Sequence, residues 1–146
     1  TVGRSIAEPG DVSRTRVEEV LTEVGLDPSA ADKYPHEFSG GQRQRISIAR
    51  ALSVHPEVLL ADEAVSALDV SVRAQILNLL QRLSREYGLT TVFVSHDLGV
   101  VHEVCSDVAV FKDGRVVESG SSDEVYANPQ HEYTQKLLNS RLTLAF

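Results

Sequence analysis

Two apolar runs on either side of one long helical stretch constrain this chain more than any other feature. Val58-Leu59-Leu60-Ala61 is short, unbroken and polar at both ends, so it reads as a strand buried on both faces of a sheet. Thr91-Val92-Phe93-Val94-Ser95 reads as a second strand. Between them, a helix opening at Asp69 or Ser71 and ending at Gly88 buries Val72, Ile76, Leu79, Leu80 and Leu83. A strand, helix, strand succession of this kind makes a right-handed crossover. The expected fold class is therefore α/β, with a mainly parallel sheet flanked by helices.

Both strand ends carry chemistry. The first runs into Asp62-Glu63, and two carboxylates where a buried strand emerges are costly unless something uses them. A Mg²⁺ ion and a water to be activated would use both, although acid pairs are also common on plain surfaces. The second runs into His96-Asp97, where a single histidine serves structure as readily as catalysis. Upstream, Ser39-Gly40-Gly41 opens a helix from Gln42 to Leu52. A serine cap and two bare glycines leave N–H groups and the positive end of the helix dipole facing outward, which suits an anion. The same residues also serve as an ordinary N-cap after a loop.

Elsewhere, Ser13 caps a helix to about Val24 with Val17, Val20, Leu21 and Val24 on one stripe, and Gly25 is its natural stop. Residues 1–10 show no period. Asp27 to Phe38 is a polar connection with two prolines, with Tyr34 and Phe38 as its anchors. Leu98, Val101, Val104 and Cys105 suggest a short helix. Val108–Phe111 and Arg115–Glu118 form strands around Asp113-Gly114, a strong hairpin signal expected to close the sheet with an antiparallel edge. Two short helices follow, one opened by Asp123, Glu124 and Val125 and one from Tyr133 to Leu138.

With 146 residues, 42% of them hydrophobic, the chain has enough material for one domain's core. No apolar run reaches membrane-spanning length and no signal peptide is visible, so any membrane link is expected to come through a partner. A net charge of -7 without a broad basic face argues against nucleic acid as a partner. The single cysteine, Cys105, sits among apolar neighbours and suggests a reducing compartment.

Phe38-Ser39-Gly40-Gly41-Gln42-Arg43-Gln44-Arg45 resembles the signature motif of ABC ATPases, and Val58 to Glu63 resembles their Walker B strand. Ser66-Ala67-Leu68-Asp69 is similar to their D-loop, and Val94-Ser95-His96-Asp97 to their switch-histidine loop. The motifs occur in the family's order, and the resemblance runs through nearly the whole chain. Tyr34-Pro35-His36-Glu37 and His131-Glu132-Tyr133-Thr134 resemble the dipeptide, oligopeptide and nickel importer branch. The resemblance implies a P-loop NTPase-like partial domain. Residues 1–53 would hold part of the helical subdomain and the signature helix, 54–120 the catalytic core with its hairpin, and 121–146 a helical extension.

It further implies ATP and Mg²⁺ as cofactors, with Asp62 helping to hold the metal, Glu63 activating the attacking water and His96 contacting the γ-phosphate. Ser39, Gly40, Gly41 and Gln42 would close over ATP held by a second ATP-binding subunit in a head-to-tail dimer, with Asp69 at the same interface. Transmembrane permease subunits would be the other partners, placing the protein in the cytoplasm at the inner face of the membrane. A non-transport ABC ATPase, or an inactive trans-acting or regulatory half-domain, is the alternative.

Two departures stand out. Ala64-Val65 follows the acid pair where the family has Pro-Thr, and residues 1–146 contain neither a G-x-x-x-x-G-K-[ST] phosphate loop nor the glutamine loop. The expectation is the C-terminal portion of a longer ATPase subunit, with Val92 and Val94 or Phe93 uncovered on an open strand edge. A phosphate loop supplies charge-assisted hydrogen bonds of ~1.5–3 kcal/mol each, so losing about four removes roughly 6–12 kcal/mol. A micromolar site is worth about 8 kcal/mol. The polypeptide of residues 1–146 on its own is therefore expected to show no ATP turnover above its Glu63→Gln variant, as measured by phosphate release.

Overall fold

The stripe predicted for the first long helix is the core of the N-terminal half. The computed structural model describes residues 1–142 of the chain, which divides into a unit Thr1–Val92 and a second unit beginning at Phe93. In the first, α1 (Val2–Ala7), α2 (Arg14–Glu23) and α3 (Gly40–Leu52) precede β1 (Val58–Asp62) and α4 (Val70–Tyr87), and β2 (Thr90–Val94) crosses the division. Val17, Val20, Leu21 and Val24 are all buried, together with Ile46, Ala49 and Leu52 of α3.

Local chemistry sets the ends of α2. Ser13 Oγ accepts from Arg16 N–H at 3.2 Å. At the other end Gly25 takes φ +78°, which lets Gly25 N–H reach Thr22 O and Leu26 N–H reach Leu21 O, the two bonds of a Schellman stop. Arg45 of α3 adds a bond from Nη1 to Val24 O at 2.6 Å. Arg16 answers from α2, giving Nη2 to Leu52 O at 3.1 Å while Nη1 lies 3.0 Å from the Glu23 carboxylate. Each helix thus supplies an arginine to the last carbonyls of the other, where helix dipoles favour positive charge.

The N-terminal decade, without a visible period, folds as α1, with Val2 and Ile6 fully buried. Two residues four apart are too few to register as a stripe, but they suffice for one turn and a half. The connection from Asp27 to Phe38 becomes two 3₁₀ turns, Pro28–Asp32 and Pro35–Glu37, each with proline in its first turn. Tyr34 is not an anchor. It is 55% exposed and stacks on His36, and Glu37 folds back to accept its N–H.

β1 and β2 pair, and the sheet is parallel as expected. β1 is not buried on both faces, however. Leu59 and Ala61 point into the core, whereas Val58 and Leu60 are 57% and 64% exposed. On β2, Val92 and Val94 are exposed, in line with the uncovered strand foreseen. A strand alternates its side chains, and among the described residues the helices of this unit cover only one of the two faces.

In the second unit, α5 (Leu98–Val104) precedes β3 (Asp107–Lys112), β4 (Arg115–Ser121), α6 (Ser122–Ala127) and α7 (Glu132–Leu142). The tail residues 143–146 of the predicted extension lie outside the described ones. β3 and β4 pair antiparallel with Lys112 opposite Arg115, and Asp113 and Gly114 both take positive φ, so the turn is the two-residue type that Asp-Gly favours. The strands outrun the predicted ones. They also form a two-stranded sheet of their own rather than the antiparallel edge expected.

The start of α7 hangs on one carboxylate. Glu118 of β4 accepts from Gln130 N–H at 2.7 Å and from His131 N–H at 3.0 Å. The Thr134 hydroxyl and these two N–H groups hold its carboxyl below the usual range. A lowered carboxyl stabilises the fold above its ordinary titration range, and the contribution is lost as pH falls through the folded-state value. Protection of the Gln130 and His131 amides against hydrogen exchange, taken relative to the unstructured rate at each pH, is expected to fall on acidification below the ordinary carboxylate range. The Glu118→Gln variant is expected to lose protection already at neutral pH and to respond less to acid.

Candidate functional site

The first turn of α3 is built by a reciprocal cap. Ser39 Oγ accepts from Gln42 N–H at 3.3 Å and Gln42 Oε1 accepts from Ser39 N–H at 3.0 Å. The side chains of Ser39 and Gln42 are thereby each engaged by the other's backbone N–H. The N–H groups of Gly40 and Gly41 stand in the first turn, where no carbonyl of the same helix reaches them. With the helix dipole behind them they fit an anionic oxygen, and a side chain at position 40 would meet nothing nearer than Leu68 Cδ2 at 3.8 Å.

Asp62 ends β1 with its side chain exposed, and Glu63 follows at φ +48°. A non-glycine residue in the left-handed region is uncommon and carries strain that the surroundings must impose. The loop after it is stitched by Ser66, whose N–H and hydroxyl both bond Glu63 O, at 3.2 and 3.0 Å, and by Leu68 N–H to Val65 O. Val65 is 3% exposed. The position where the family has a hydroxyl residue is therefore an apolar plug in this chain.

Asp69 closes that loop and caps α4, its Oδ1 accepting from Val72 N–H at 3.0 Å. The loop end and the start of α4 come against the start of α3 through Leu68 beside Gly40 and Val72 beside Gly41. Ser39, Gly40, Gly41, Gln42 and Asp69 are thus gathered around one pair of helix starts in the first unit. His96 belongs to the second unit. It is exposed just past β2, next to Asp97, whose carboxylate caps α5 through Gly99 and Val100 N–H.

Two features of this region were not foreseen. Glu63's left-handed backbone leaves no mark in sequence. The contact of Val72 with Gly41 had one available sign, a second glycine where a single one already exposes a helix start. A surface cavity of about 430 Å³ lined by Glu19, Thr22, Glu23, Gly25 and Arg82 contains none of the candidate residues. Burial pushes the Cys105 thiol up, away from thiolate chemistry.

The cap at Asp69 separates structure from charge. Asp69→Ala is expected to lose about 1 kcal/mol of stability, while Asp69→Asn keeps the cap and most of that stability. Urea unfolding of the two variants checks this, and an equal loss in both would assign the effect to the charge instead.

Residues 2–66 match the pattern of the ABC transporter family. The chain is 56% identical, over 94% of its length, to the glutathione import ATP-binding protein GsiA of Salmonella typhimurium, and 51% identical, over 96%, to that of Pectobacterium atrosepticum. It spans only 23% and 24% of the length of those relatives. Among solved structures, cbiO1 from Clostridium perfringens, part of the ABC transporter complex cbiONQ, superposes with a TM-score of 0.71 at 33% identity, over 91% of this chain and 50% of that one. A bacterial Atm1-family ABC exporter with ATP bound gives 0.73 at 26% identity, over 97% of this chain and 26% of that one. From the glycine-opened α3 to the acid pair after β1, and in these matches, the chain is similar to the ATP-binding proteins of ABC transporters.

Proposed function

We propose that this chain is part of an ATP-hydrolysing subunit that energises import of a peptide-like solute through an ABC transporter. The observation that carries the proposal is the construction of the first unit. One helix start offers bare N–H groups, and a short loop away a strand ends in Asp62 and a strained Glu63. The import direction and the class of solute rest on likeness to relatives named for glutathione import.

In this reading Glu63 orients the attacking water and takes its proton, and Asp62 holds Mg²⁺ through water. His96 steadies the γ-phosphate oxygens. Among the described residues no cluster of His, Cys, Asp and Glu makes a metal site by itself. An exposed carboxylate at a strand end fits an ion that keeps much of its water and arrives with a nucleotide. Bound Mg²⁺-ATP would supply the phosphoryl group and neutralise charge as the bond to the leaving group breaks. Ser39 and Gln42 hold the start of α3, so that Gly40 and Gly41 present N–H groups to the phosphates of ATP on a second subunit. Asp69, on the adjoining helix start, faces the same junction. Closure of the two subunits on ATP would then work permease subunits in the membrane. Among the described residues no helix is long and apolar enough to cross a membrane, which agrees with a peripheral place on its inner face.

The test uses the protein as its cell makes it. Glu63→Gln is expected to cut ATP turnover by roughly 10²–10⁴-fold, the usual worth of a general base, while ATP-bound dimers accumulate in light scattering. Turnover left intact, or no ATP-dependent dimer, overturns the proposal.

A further inference from the structure

We infer that Val72 is a positioning residue for the signature glycines: its side chain sets where α3 begins, and hence where the Gly40 and Gly41 N–H groups stand. The inference rests on the reading of α3's first turn as the site for a nucleotide on a second subunit.

The two glycines differ in what surrounds them. A Cβ at Gly41 would lie 2.5 Å from Val72 Cγ1 and 3.8 Å from Val72 Cβ and Cγ2. Real Cβ contacts do not come that close, so the space over Gly41 is filled from inside the protein. A Cβ at Gly40 would make one ordinary contact, with Leu68 Cδ2. Gly40 is bare toward a ligand, whereas Gly41 is bare so that α4 can approach.

Val72 suits this task. A valine in a helix is held to one side-chain rotamer, so its Cγ1 does not swing away when pressed. It sits in the first turn of α4, and its own N–H is fixed by the Asp69 carboxylate. An unbroken set of contacts therefore runs from Asp69 through the Val72 backbone and methyl group to Gly41. A shift of Asp69 moves the anion-binding N–H groups with it.

Size complementarity tests the inference in the natural full-length protein carrying Glu63→Gln, with ATP-driven dimer formation and urea unfolding as the readouts. Gly41→Ala is expected to weaken dimer formation on the order of tenfold, and adding Val72→Ala is expected to restore most of it. Gly40→Ala is expected to weaken dimers without rescue by Val72→Ala. Absence of coupling between positions 41 and 72 in unfolding overturns the contact itself. Coupling in unfolding with undisturbed dimers in Gly41→Ala overturns the positioning role, as does equal rescue of Gly40→Ala. A parent protein that forms no dimer with ATP overturns the nucleotide reading, and the positioning role falls with it, while the unfolding cycle still decides the contact.

Discussion

The approach of α4 to the bare backbone of Gly41 is the contact on which this architecture turns. α3 and α4 belong to opposite sides of β1 in the sequence, and each begins with a polar cap that satisfies its own first turn. Because position 41 has no side chain, the two capped starts can lie against each other, and the loop carrying Glu63 is drawn along with them. A methyl group there would have to be accommodated by moving one helix or the other, since the valine opposite is stiff.

Around that contact the arginines fasten the helices in register. Arg45 and Arg16 exchange bonds to the last carbonyls of α2 and α3, so neither helix can slide along the other without stranding a carbonyl. The apolar stripe provides the larger share of the stability, as burial of whole aliphatic side chains does, and the arginines choose among the ways that stripe could be packed.

What was legible in the sequence was local. Ser13, the four-residue stripe and Gly25 mark α2 because cap, period and stop are properties of neighbouring residues, and Asp113-Gly114 marks its turn for the same reason. The signature helix and the acid pair were legible as motifs. Most of the failures involve contacts with distant residues or the absence of any. Val58 and Leu60 look like core from their chemistry, yet which face of a strand is covered depends on elements far along the chain. Tyr34 looks like an anchor until its stacking on His36 offers it a place in solvent. Gly41 reads as a ligand-facing glycine, and only the position of Val72 shows the second use.

The left-handed backbone at Glu63 has a bearing on how this residue is best probed. Any replacement inherits the same φ, so the cost of that conformation appears in both proteins only if the new side chain branches as glutamate does, at Cδ and no earlier. Glutamine meets that condition and makes a matched pair with the parent. A β-branched residue would unfold the turn as well as remove the acid, and a glycine would relax it, so either would mix backbone release with chemistry in a single number.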